Sequence, residues 1–96
     1  MLVVWTRAAL SHLEELQDYI AQESPQAAYK LAVELTERTN LSLAEHPMMG
    51  RRGRARGTRE LILADTSYIV VYQAMKDRVE ILAVIHAARE WPESFD

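Results

Sequence analysis

Val3, Val4 and Trp5 make a short β-branched and aromatic run, which predicts a first strand over about 2–5. Thr6 stands where a helix cap is needed. Beyond it Leu10, Leu13, Leu16 and Ile20 recur at helical spacing, with Ala9 and Ala21 alongside, while Glu14, Glu15 and Asp18 fall elsewhere on the wheel. The pattern predicts an amphipathic helix over about 6–22. Ser24-Pro25 marks the start of a second helix. The serine hydroxyl accepts from an early helical N–H, and proline at the first position gives up only an N–H that would have no intrahelical partner. Ala28, Leu31, Ala32 and Leu35 give this helix an apolar stripe, which Leu41, Leu43 and Ala44 extend. His46-Pro47 ends it, because the residue before proline is pushed out of the helical region. Helices over 6–22 and 25–45 with so short a connection form an antiparallel hairpin.

Residues 48–57 read as a loop that holds all 3 glycines of the chain, interleaved with arginines. Strand-like runs follow over about 58–64, 68–74 and 78–86, with Asp65-Thr66-Ser67 as one turn and Lys76-Asp77 near the next. Strict alternation would put Val79, Ile81, Ala83 and Ile85 on one face of the last strand and Glu80, Leu82, Val84 and His86 on the other. Short connections predict antiparallel neighbours. Apolar groups on both faces require cover on both, by the helices on one and by the tail 87–96 or a partner chain on the other. The expected architecture is α+β in a single domain over 1–96, ordered β-α-α-β-β-β, a helical hairpin packed on an antiparallel sheet.

Composition narrows the function. The chain has 96 residues, no cysteine, 49% apolar and 26% charged residues, and a net charge of −3. Disulfides, thiolate metal sites and a cysteine nucleophile are excluded. A globally basic nucleic-acid binder is disfavoured, so no direct, specific DNA binding is expected. No apolar run is long enough for a membrane span and no signal-type segment opens the chain, so a cytoplasmic protein is expected. His12, His46 and His86 are too scattered to predict a metal site, and the G-x-x-x-x-G-K-[ST] spacing of a phosphate loop is missing, so no cofactor is expected.

The charge is uneven, however. Residues 1–50 hold three basic against seven acidic groups, and residues 51–96 eight against seven. Arg51, Arg52, Arg54, Arg56 and Arg59 fall within nine residues that contain no acid. This run reads either as a solvated, flexible loop or as a contact for an anionic protein or nucleic-acid surface.

Ser24-Pro25-x-Ala27-Ala28, Glu45-His46-Pro47-x-x-Gly50-Arg51, Gly57-Thr58-Arg59-Glu60-Leu61, Tyr68-Ile69-Val70-Val71-Tyr72 and His86-x-x-Arg89-x-Trp91-Pro92 occur in this order. Together they resemble the RelE/ParE superfamily of bacterial toxins, over nearly the whole chain. The resemblance implies the toxin half of a type II toxin–antitoxin pair, neutralised by a cognate antitoxin protein, on the same helix-hairpin-and-sheet fold. It also implies one of two targets. ParE-like members poison DNA gyrase, whereas RelE-like members enter the ribosome and cleave mRNA without a metal. Ile69 occupies the place of an arginine that the RelE-like enzymes carry after the strand tyrosine, and Trp91-Pro92 stands where they have a tyrosine. The ending His86-x-x-Arg89 is similar to that of ParE-like members. The ParE-like reading is therefore preferred, with the mRNA endoribonuclease as the alternative and a non-toxic interaction module as a second alternative.

In the preferred reading there is no catalytic set, and Arg51, Arg52, Arg54, Arg56, Arg59, Arg89 and Trp91 are candidates for contact with target or antitoxin. In the RNase reading His86, Arg89 and Arg59 would carry the chemistry, with His86 as general base. Each has a plainer alternative. His86 can hydrogen-bond the tail or a loop, Arg89 can pair with Glu80, Glu90 or Glu93, and Arg59 can be a charge that protects an edge strand. Trp91 can pin the tail to the sheet. Tyr68 and Tyr72, four apart, are expected in core packing with their hydroxyls at the rim, and Trp5 in the core. Met48 and Met49 are expected as filling beneath the loop.

Overall fold

The structure, a computed structural model, describes residues 1–88. Residues 89–96 of the expected tail, Arg89 and Trp91 among them, lie outside the described residues. The elements are β1 (Leu2–Trp5), α1 (Arg7–Ala21), α2 (Pro25–Glu45), β2 (Arg51–Arg52), β3 (Arg59–Ile62), β4 (Tyr68–Ala74) and β5 (Arg78–His86). Both helices start as their caps dictate. Thr6 Oγ1 accepts from the Ala9 N–H at 3.2 Å, and Ser24 Oγ accepts from the Ala27 N–H at 3.1 Å.

The strands form one sheet in the order β1-β5-β4-β3-β2. β2, β3, β4 and β5 are antiparallel to their neighbours, but β1 runs parallel to β5, so the sheet is mixed rather than wholly antiparallel. The helical hairpin carries the chain from β1 at one sheet edge to β2 at the other, and β2, β3 and β4 bring it back to β5 beside β1. β2 is a strand within the segment expected to be loop, and β3 is shorter than the run over 58–64. In the β3–β4 turn Asp65 takes a positive φ of 66°, which aspartate tolerates, and Thr66 donates its hydroxyl to Leu63 O.

The main core lies between sheet and hairpin. Leu35 and Leu43 of α2 and Leu16 of α1 meet Val70, Tyr72, Val79, Ile81 and Val84 of the sheet. Trp5 packs at its margin and donates its indole N–H to Asn40 Oδ1 at 2.8 Å, tying β1 to α2. Leu10 and Leu41, expected on the apolar stripes, are exposed instead. The hairpin needs only the positions that face β4 and β5, and these two fall beyond that arc.

A second cluster, Val71, Ala83 and Ile85, occupies the other face. It exists because β5 breaks its alternation. Tyr72 pairs with Ile81 and Val71 with Ala83, so Leu82 is an extra residue, a β-bulge. Val79 and Ile81 point to the helices before the bulge and Val84 after it, whereas Ala83 and Ile85 point away. The single apolar face expected for Val79, Ile81, Ala83 and Ile85 is thereby split in two. Beyond the end of β1, the outward Val84 N–H is taken by His12 Nδ1 of α1 at 3.2 Å, so this backbone donor does not go unpaired.

Candidate functional site: the arginine loop and its cleft

Residues 50–60 form a unit tied together by internal hydrogen bonds. Gly50 is buried, and its N–H donates to the Tyr72 hydroxyl at 2.8 Å. A side chain here would meet Tyr72 Cε1 at 2.7 Å and the Glu60 carbonyl at 2.8 Å, so only glycine allows the approach. Gly53 N–H donates to Thr58 O at 2.8 Å, and the Thr58 hydroxyl returns to Ala55 O at 2.6 Å. Gly57, at φ 79°, turns the chain into β3 in a conformation that disfavours other residues.

The β2–β3 register then sorts the arginines by face. Arg51 stands opposite Glu60, and Arg52 stands opposite Arg59. Glu60 is the residue that sequence reasoning missed. Its side chain is only 2% exposed, yet Oε1 accepts from Arg51 Nε at 3.1 Å and Nη2 at 3.0 Å, and Oε2 accepts from the Arg54 backbone N–H at 2.9 Å. The available signal was its position as the first acid after an arginine run. Arg51 is thus engaged in structure, and Arg54 lends its backbone to the same knot.

Arg59 is not an edge charge, because β2 covers β3 on that side. Its Nη1 donates to Gly50 O at 2.7 Å. Tyr72, beneath it, has its hydroxyl inside the protein and not at a rim; burial raises the phenol above 10.0, against smaller lowering effects of the Gly50 N–H and the Arg59 charge. Arg52, Arg56 and Arg59, with Met48, Thr58 and Ala74, line a cleft of about 440 Å³. Among the described residues no carboxylate pairs with Arg52 or Arg56. Met48 and Met49 are exposed, not filling beneath the loop.

His86 lies elsewhere. It pairs with Tyr68 at the far end of β4, whereas Arg59 pairs with Tyr72, and four residues of strand separate these pairs by about 13 Å. The His86 ring meets Tyr68 edge-on at 5.3 Å, and its Nδ1 accepts from the Ala88 N–H at 3.2 Å. Arg78 is also occupied, with Asp77 and Glu80 both at 2.9 Å. No group of histidines and carboxylates suited to a metal occurs among the described residues.

The model of the family described as the ParE toxin of the type II toxin–antitoxin system parDE matches residues 3–91. The chain belongs to this toxin family. The ParE-family chain is 44% identical over 89 residues to the toxin candidate Y4kP of Sinorhizobium fredii, covering 93% of this chain and 91% of that one. It is 41% identical over 87 residues to toxin RelE2 of Caulobacter vibrioides, covering 91% and 96%. Its fold is similar to a chain of a chromosomal ParDE toxin–antitoxin system from P. aeruginosa, with a TM-score of 0.81 at 24% identity over 90% and 95% of the chains. The α+β architecture expected for a RelE/ParE superfamily toxin is therefore the one this toxin has.

Proposed function

We propose that this ParE-family toxin arrests growth by binding and poisoning DNA gyrase, and that a cognate antitoxin silences it. The carrying observation is the separation of His86 from Arg59 along β4, each already committed to internal hydrogen bonds. General acid–base cleavage of RNA needs its groups within hydrogen-bond reach of one scissile phosphate, and these two do not supply such a pair. A poison needs only a surface, and the arginine loop offers one held by internal hydrogen bonds, with Arg52 and Arg56 exposed. No described helix is long and apolar enough to cross a membrane. The antitoxin is expected across the helical hairpin, where Tyr29 is 71% and Leu41 70% exposed.

The second reading is the RelE-like one, ribosome-dependent mRNA cleavage; one relative carries the name toxin RelE2. Two assays on antitoxin-free protein separate them: gyrase supercoiling with a cleavage-complex readout, and mRNA cleavage on programmed ribosomes. Trapped gyrase–DNA complexes with intact mRNA are expected. Cleaved mRNA with unaffected gyrase would overturn the proposal, and inactivity in both assays together with normal growth on unneutralised expression would make the chain a plain interaction module.

A further inference from the structure

Arg52 and Arg59 face each other directly across the β2–β3 pair. Like charges in that position repel. On the opposite face the same two strands place Arg51 against Glu60, so charge is balanced there. On the cleft side it is not. Among the described residues the cleft is lined by Arg52, Arg56 and Arg59 and by no acidic residue. Arg59 cannot relieve the repulsion by swinging out, because Gly50 O holds its guanidinium at 2.7 Å. A pairing rule broken without compensation among the described residues points to a place shaped by a ligand.

We propose that this cleft binds a terminal, multiply charged phosphate group of the kind carried by nucleoside di- and triphosphates. Three guanidiniums exceed the single charge of a phosphodiester, and they match a terminal phosphate chain. Arginine forks also fit phosphate oxygens two at a time. The cleft volume of about 440 Å³ falls in the range of small-molecule sites, roughly 300–1,000 Å³. Met48, Ala55 and Ala74 give it an apolar wall beside the arginines, against which a base can rest. The inference rests on the cleft alone and holds whether the toxin acts on gyrase or on ribosomes.

Calorimetric titration of the purified chain tests it, with ATP, inorganic tripolyphosphate, adenosine, and a short single-stranded oligonucleotide lacking terminal phosphates. ATP is expected to bind, tripolyphosphate more weakly, and adenosine not at all. Arg52→Gln with Arg56→Gln is expected to weaken ATP binding by at least about tenfold. Both side chains are exposed, and circular dichroism verifies that the variant is folded. Arg7→Gln with Lys30→Gln removes the same charge away from the cleft and is expected to leave binding within about threefold. Absence of ATP binding, equal binding by the cleft variant, or equal loss in the control variant would overturn the proposal. Binding of the oligonucleotide alone would overturn the preference for a terminal phosphate, and tripolyphosphate binding as tightly as ATP would overturn the nucleoside.

Discussion

Removing the Glu60 carboxylate should loosen the whole arginine loop. The carboxylate is 2% exposed and holds two guanidinium donors and one backbone donor at 2.9–3.1 Å. Breaking a buried ion pair costs about 3–5 kcal/mol when the stranded partner stays buried. Here the partner is Arg51, whose side chain is 53% exposed and free to turn to water once released. The cost should therefore fall below that range, at about 2–3 kcal/mol for Glu60→Ala, mostly from charge-assisted hydrogen bonds. For a domain of this size that corresponds to a fall in Tm of roughly 8–24 °C. Glu60→Gln keeps the shape and one acceptor, and should lose about half as much. Thermal unfolding followed by circular dichroism reads both. A Glu60→Ala variant within about 2 °C of the parent would show that the knot does not hold the loop.

Tyr72→Phe should cost about 1–3 kcal/mol, because the buried Gly50 N–H loses its acceptor; an unchanged denaturant midpoint would refute that hydrogen bond. The Tyr72 phenol, raised above 10.0, holds its proton more tightly folded than unfolded, so its contribution is complete below pH 10.0 and lost as pH rises through the raised value. Alkaline titration of tyrosinate absorbance should show the Tyr72 step, identified by its loss in Tyr72→Phe, above 10.0 in the native protein, and a step at or below 10.0 would contradict it. Gly50→Ala should destabilise by about 1–3 kcal/mol, since the new methyl meets the Glu60 carbonyl, and a neutral outcome in the same melt would mean that the strand can retreat. Thr39 is fully buried with its hydroxyl unpartnered among the described residues. Thr39→Val should raise stability by about 1 kcal/mol, and a lower Tm would point to a partner for that hydroxyl.

The helices were legible because their limits are set by local chemistry. Ser24-Pro25 and His46-Pro47 act on their own backbones, and α2 begins and ends where they direct. The sheet was legible only as a set of strands. Nothing in Leu2–Trp5 distinguishes a parallel from an antiparallel neighbour, because its partner Arg78–Ile81 is remote in sequence. Leu82 fits the alternation around it, so its role as a bulge depends on β4, and the division of β5 between two clusters was hidden with it. The arginine run was plain as composition, but the two-residue β2 decides which arginine meets Glu60 and which meets Arg59. His86 showed its position at a strand end, though not its distance from Arg59. Arg89 and Trp91 lie outside the described residues, and their roles remain proposals.

The parallel pairing of β1 with β5 also sets a timetable for folding. Thr6 donates both its N–H and its hydroxyl to Ile81 O, a partner 75 residues later. Contacts of such separation cost loop-closure entropy before they return any stability, and they slow folding relative to local ones. During synthesis, β1 leaves the ribosome before the other strands and has no strand to join until residues 78–81 have been made. The hairpin and the β3–β4 pair can assemble earlier, but the sheet edge closes only after β5 has been made. A nascent chain stopped short of β5 therefore carries the arginine loop without the completed core behind it.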